Sequence, residues 1–350
     1  MDINELKSRL KSGSLAGWYI LSGEEDYLKK YYLDRMREAI LTDDTFDLFN
    51  HASYDGQDIN FQDVKEAIKS PPMMGEYKFI EWRFATLDAL KESEISVLES
   101  LFELKEEYPY AIFAIMTTSD GFDVGTPKKP TKLASRLSRG FDILNFAKST
   151  DAQLLAWLKK HFDAEGVAVD APTLNAMLFR AGRSMEVLNN EVTKLCCYAK
   201  ANGRDAVNQK DVDAVVSPTV ECDAFALSNA VLEKSMERAF VALTDLKQRR
   251  VEPPAIIAML ERTYSELTSV AMLLDEGRGS GDIESILHFH PFKAKLYISA
   301  AKRVGSKRLA ESLSELCRID AASKSGGLSG YGAIEMFITK HINSYNGEKR

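Results

Sequence analysis

A chain of 350 residues exceeds the roughly 250 to 300 at which a single hydrophobic core stops growing, so two or three domains are expected. Its 45% hydrophobic and 28% charged residues are ordinary globular composition, which excludes a disordered or collagen-like chain. No apolar run reaches the about 20 residues of a membrane span, MDINELKSRLKSG lacks an apolar core and a cleavage site, and a net charge of −7 excludes a dedicated nucleic-acid coat; a cytoplasmic protein with no membrane partner is expected.

The first 150 residues alternate strand and helix. WYILSG (18–23) is a short apolar run closed by glycine, and DYLKKYYLDRMREAIL then shows apolar residues at helical spacing. A second strand is expected near FDLFNHASYD (46–55), followed by the helix NFQDVKEAIKS and the strand KFIEWRF (78–84). A helix across 92–105, the very apolar AIFAIMTT (111–118) and FDILNF (141–146) complete the region. Continuous apolar strands separated by helices predict a parallel sheet covered on both faces, an α/β domain of nucleotide-binding type.

After Thr150 strands are expected to end. TDAQLLAWLKKHFDAEG, PTLNAMLFRAG and SMEVLNNEVTKLCCYAKANG read as helices, and a small helical domain closes near NQKDVDAVVSP with Pro218 as breaker. Beyond it Leu232, Met236, Phe240, Leu243 and Leu246 mark one amphipathic helix, and the apolar positions from Ile256 to Leu274 mark another, with further helices to about His341. The expected fold class is α/β plus all-α, with domains at 1–149, 150–217 and 218–343.

An α/β domain followed by a helical one directs attention to the loop after the first strand. A phosphate-binding loop needs glycines whose backbone N–H groups wrap the phosphates, a lysine, and a serine or threonine for magnesium. Here Gly23 is followed by Glu24, Glu25 and Asp26, three carboxylates that repel a triphosphate at the helix end that would otherwise attract it. No nucleotide cofactor is expected. No GxSxG, HExxH or HRD pattern is present, so no catalytic residue is assigned. The HFH of His288 to His290 has no Cys or acidic partner at ligand spacing, and no metal is expected there. Cys196, Cys197, Cys222 and Cys317 read as reduced core thiols, the adjacent pair diverging by about 100° on a helix.

SPPMMGEYKF (70–79) is the conspicuous loop. Pro71 and Pro72 fix φ and remove two donors, Gly75 permits a sharp turn, and Met73 and Met74 are left at a tip, where unbranched thioethers adapt well to a partner's groove. Burial in this chain's own core is the competing reading, because large apolar side chains usually end up inside. Charge is also unevenly placed. Lys293, Lys295, Lys302, Arg303, Lys307 and Arg308 fall within an acid-free stretch at 285–310, and Lys128, Lys129, Lys132, Arg136 and Arg139 form a second. Such stretches either face a polyanion or solvate helix faces.

From end to end the chain resembles the delta subunit of the bacterial DNA polymerase III clamp loader. The stretches that carry the resemblance are YILSGEEDYLKKYYLDRM, PPMMGEYKFI, LLAWLKKHFDAEGVAV with RSMEVLNNEVTKLCCYA, HPFKAKL at 290–296, and DAASKSGGLSGYGAIEMFI, in that order. The resemblance implies an AAA+ type parallel-sheet domain, a helical lid and a C-terminal helical collar. It also implies membership of a hetero-oligomer with gamma/tau and delta prime subunits, a non-ATPase role in a replisome at the nucleoid, and contact with primed DNA through the complex.

In the family a hydrophobic pair opens the sliding clamp (beta subunit). The resemblance places that pair at Met73 and Met74, where leucine and phenylalanine are common in the family, with Pro72, Gly75 and Glu76 as neighbours. In active relatives a phosphate-sensing arginine follows a lid glycine by three residues; here Met185 holds that position after Gly182, and Arg183 is displaced from it. Two other readings remain beside this one: an active AAA+ ATPase, or a helical adaptor that binds nucleic acid directly.

Overall fold

The computed structural model describes residues 1–41, 48–57, 59–324 and 330–347, with side chains to residue 343. Residues 46–47 of the expected second strand and 325–329 of the C-terminal motif lie outside the described residues. The chain divides into two compact units, Met1–Thr150 and Asp151–Arg350.

In the first unit the elements run α1 (Ile3–Ser12), β1 (Trp18–Ser22), α2 (Asp26–Ile40), β2 (His51–Asp55), α3 (Phe61–Lys69), β3 (Lys78–Ala85), α4 (Glu92–Ser100), α5 (Phe102–Glu107), β4 (Ala111–Thr117), the two-residue pair β5 (Gly125–Thr126) and β6 (Lys129–Pro130), α6 (Lys132–Leu137) and β7 (Asp142–Asn145). Five strands form one parallel sheet in the order β2-β3-β4-β1-β7. Side chains alternate across a strand, so Trp18 and Ile20 pack with Ile80, Trp82, Phe113 and Ile115 under α3 to α6, while Tyr19 and Leu21 pack with Phe79, Ile112 and Leu144 under α1 and α2. Both faces are covered, which is why the strands read as unbroken apolar runs.

Two details differ from the sequence reading. α1 was not anticipated, although Asp2 caps it by accepting from Glu5 N–H and Gly13 closes it at φ 72°. The helix expected across 92–105 is two, because at Leu101 the backbone tightens to three-residue hydrogen bonds: Leu101 N–H donates to Leu98, and Leu104 N–H to Leu101.

The second unit holds α7 (Asp151–Ala164), β8 (Ala168–Val169), α8 (Ala171–Ala181), α9 (Met185–Ala201), β9 (Ala206–Val207), α10 (Gln209–Val215), α11 (Val220–Leu232), α12 (Met236–Gln248), α13 (Pro253–Asp275), α14 (Ser280–Leu287), α15 (Pro291–Val304), α16 (Ser306–Lys324) and α17 (Tyr331–Gly347). Strands therefore do not end at Thr150: β8 and β9 pair in parallel, a ladder too short to leave a period in the sequence. The single helix expected from Leu232 to Leu246 is also two. Lys234 turns left-handed at φ 60°, and Ser235 caps α12 by accepting from Arg238 N–H. The apolar spacing runs across the break because both helices face the core formed by Leu227, Leu243, Leu246, Leu260, Tyr264 and Phe337.

All four cysteines are free thiols, but only Cys196 is fully buried; Cys222 is half-buried, and Cys197 and Cys317 are exposed. Adjacent helical positions diverge, so the pair 196–197 could not both point inward. Burial pushes the thiols of Cys196 and Cys222 up to about 11. Among the described residues no helix is long and apolar enough to cross a membrane, and no group of three or more His, Cys, Asp or Glu residues could hold a metal ion.

Candidate functional site

The strands of the sheet are parallel, so the loop after β1 and the loop before β3 lie at opposite ends of it. Open parallel sheets ordinarily bind ligands at the carboxyl ends of the strands. In this chain that end is filled by its own backbone and side chains beside β1. Gly23 sits at φ 104°, and a Cβ there would lie 2.4 Å from Phe146 O. Phe146 N–H donates to Ser22 O at 2.7 Å, and Glu25 N–H donates to Phe146 O at 2.9 Å, so the loop is stitched to the chain leaving β7.

Each of the three carboxylates there already has a partner. Glu24 pairs with Lys148 at 3.2 Å. Glu25 is nearly buried; burial pushes its carboxyl up, while a hydrogen bond from the Ser149 backbone opposes that push. Asp26 pairs with Lys29 at 2.8 Å and accepts from the Ser119 hydroxyl at 3.0 Å. Lys29 is fully buried, and its Nζ also donates to Thr117 O at 2.8 Å. That lysine escaped the sequence reading; it neutralises Asp26 from within the fold and leaves no ammonium facing outward at this position. In the second unit Met185 is buried in the first turn of α9, and Arg183 is ion-paired with Asp151.

The amino ends of β2 and β3 are the opposite case. α3 stops at Lys69, whose carbonyl accepts from the Tyr110 hydroxyl at 2.8 Å. Pro71 and Pro72 follow, and then Met73 and Met74 stand 46% and 82% exposed. The expected tip is present, but its turn is made differently: the left-handed residue is Met74 itself, at φ 56°, rather than Gly75. Gly75 serves close approach instead, because a Cβ there would lie 3.3 Å from Asn50 Nδ2. Asn50, only 5% exposed, accepts from Met73 N–H at 2.6 Å and donates to Met73 O at 2.9 Å. Pro72 is half-buried, while Gly75 and Glu76 are exposed.

Leu48 and Phe49 immediately precede Asn50 and are 83% and 50% exposed. The sequence pattern places them in a strand, but β2 begins only at His51, which leaves them in solvent beside Asn50. Asn50 carries no sequence signal, since its role depends on a partner 23 residues away.

The strands behind this end are joined by a buried carboxylate. Glu81 on β3 meets His51 Nε2 at 3.2 Å and the Ser53 hydroxyl at 3.2 Å on β2, with Arg37 at 3.5 Å and Arg83 at 3.8 Å. Burial pushes this carboxyl up, but the His51 hydrogen bond and the charges of His51, Arg37 and Arg83 outweigh it and hold it below the usual value.

The basic stretches prove mixed, because folding brings them acids from distant elements. Lys293 pairs with Glu266 at 2.8 Å and lies over the Phe289 and Tyr297 rings. Arg303 pairs with Glu233 at 2.6 Å and donates to Asn229 at 2.7 Å. Arg136 forks onto Glu99 and also reaches Glu92. Lys295, Lys302 and Lys307 are exposed and have no ion pair among the described residues, and Arg308 is exposed.

Comparison with known proteins adds independent findings. Residues 19–122 match the family model described as DNA polymerase III, delta subunit, and residues 221–341 match the model of that subunit's C-terminal domain. DNA polymerase III subunit delta of Bacillus subtilis (strain 168) is 23% identical over 337 residues, 94% of either chain. A probable DNA polymerase III subunit delta of Aquifex aeolicus (strain VF5) is 24% identical over 319 residues, 87% of this chain and 85% of the relative. The solved structure of a Bacillus subtilis DNA clamp loader delta protein superimposes with a TM-score of 0.56 at 20% identity, covering 97% of this chain and 99% of the other, a likeness of fold.

Proposed function

We propose a role for this chain from the premise that it belongs to the family of DNA polymerase III delta subunits: it is the clamp-loader subunit that grips the sliding clamp and favours the opened ring. The observation that carries this reading is the tip at Met73 and Met74, two apolar side chains presented to solvent on a clamped loop. Burying each methionine in an apolar pocket of the clamp contributes about 1.5 to 3 kcal/mol. That is an anchor rather than a whole affinity, so Pro72, Gly75 and their neighbours complete the contact. A subunit that binds the strained or open clamp better than the closed one shifts the ring towards opening by that difference, without bond chemistry of its own.

The filled end of the sheet supports a subunit that leaves ATP to its partners. Gly23, Glu24, Glu25 and Asp26 are occupied with internal contacts, as are Lys29 and Arg183. Residues 150–217 then act as a lid domain, and 218–343 as a collar that assembles with the gamma/tau and delta prime subunits. Of the basic residues, the exposed Lys295, Lys302, Lys307 and Arg308 are our candidates for approaching primed DNA in the assembled loader, while Lys293 and Arg303 hold the helices together.

The test is capture of the clamp by the full-length chain and by its Met73→Ser/Met74→Ser variant. The expected result is a loss of at least a hundredfold in affinity with unchanged thermal stability. Undiminished capture by a folded variant would remove the tip from the mechanism.

A further inference from the structure

The tip has no hydrogen-bonding framework of its own. Pro71 and Pro72 lack N–H groups, and among the described residues no backbone-to-backbone hydrogen bond involves residues 71–76. Met74 is nonetheless held left-handed at φ 56°, a conformation that an unbranched non-glycine residue does not keep unaided. Something must therefore over-determine this loop. Asn50 is the group that does so. Its side-chain amide reproduces a peptide unit, giving Met73 one acceptor at 2.6 Å and one donor at 2.9 Å, the pairing a neighbouring strand would supply. The amide is 5% exposed, so water does not compete for it. Gly75 leaves it room.

We propose that Asn50 is the positioning residue of the docking tip: it fixes the Met73 backbone, and with it the presentation of Met73 and Met74, before any partner arrives. The inference rests on the reading of the tip as the clamp-binding element. Asparagine suits the position chemically. Aspartate keeps the acceptor but sets a second oxygen against Met73 O, and alanine supplies neither group. A free chain whose loop samples many conformations binds with an affinity reduced by the fraction that is competent.

The experiment is a double-mutant cycle on the full-length chain, with clamp affinity as readout. Asn50→Ala should weaken binding on the order of tenfold, and Asn50→Asp by a similar factor. In the Met73→Ser/Met74→Ser background the same Asn50→Ala change should alter affinity by less than about twofold, because a positioning residue has nothing left to position. Amide exchange at Met73 in the free chain, slow in the wild type, should become fast in Asn50→Ala, which removes the acceptor of the Met73 N–H, a readout that does not depend on the clamp. If the methionine double variant loses binding while Asn50→Ala and Asn50→Asp bind like wild type, the positioning role is overturned and the tip survives. If the double variant still binds, the tip itself is wrong, and this inference falls with it.

Discussion

The two ends of one sheet have been treated in opposite ways. After β1, at the end where open parallel sheets ordinarily bind ligands, a glycine at φ 104° lets the loop close onto Phe146, and buried Lys29 answers Asp26 from inside. Before β3, where such sheets usually have plain connections, two prolines and a left-handed methionine hold apolar side chains out in solvent. The difference is one of where polar and apolar groups are satisfied. The polar end is satisfied internally, and surface free energy is left uncollected at the other.

The closed end is the easier to break. Gly23→Ala adds a Cβ 2.4 Å from a backbone carbonyl at a φ that alanine does not tolerate, so a loss of about 3 kcal/mol or more is expected in chemical unfolding. A neutral outcome would mean that the loop is not packed as described. Next in size is Glu81→Gln, expected to cost about 2 kcal/mol, since Arg37 and Arg83 keep partial access to water.

Its pH signature has a definite sign. The Glu81 carboxyl lies below its unfolded value of 4.5 in the native state, so its contribution is complete above about pH 4.5 and is lost as pH falls further. Acid unfolding should accordingly be shallower in Glu81→Gln than in the wild type. The smallest effect separates stability from function: Met74→Asn tolerates the left-handed backbone and should gain up to about 1 kcal/mol of stability, while clamp affinity falls. A variant that gained both would show that the strained residue is not the one making contact.

Much of the first unit was legible because a parallel sheet covered on both faces writes its strands as continuous apolar runs, and all five were read near their observed places. The tip was legible too, through two prolines and a glycine, although the positive φ fell on Met74 rather than on the glycine beside it. What stayed hidden depends on partners far along the chain. Asn50, Lys29 and Glu81 are unremarkable letters whose roles exist only once residues 23, 88 and 30 positions away come beside them. Helix breaks at Leu101 and Lys234 were missed because the apolar spacing continues through them.

One further consequence follows from where the tip is mounted. β3 is an inner strand, hydrogen-bonded to β2 along one side and to β4 along the other, from Lys78 almost to its end. A tug on the tip along the strand axis is thus resisted in shear by two ladders together, whereas a strand at the rim would have only one. Mechanically the loop is mounted on a splinted shaft, so a load applied to it passes into the sheet rather than into a single pair of strands.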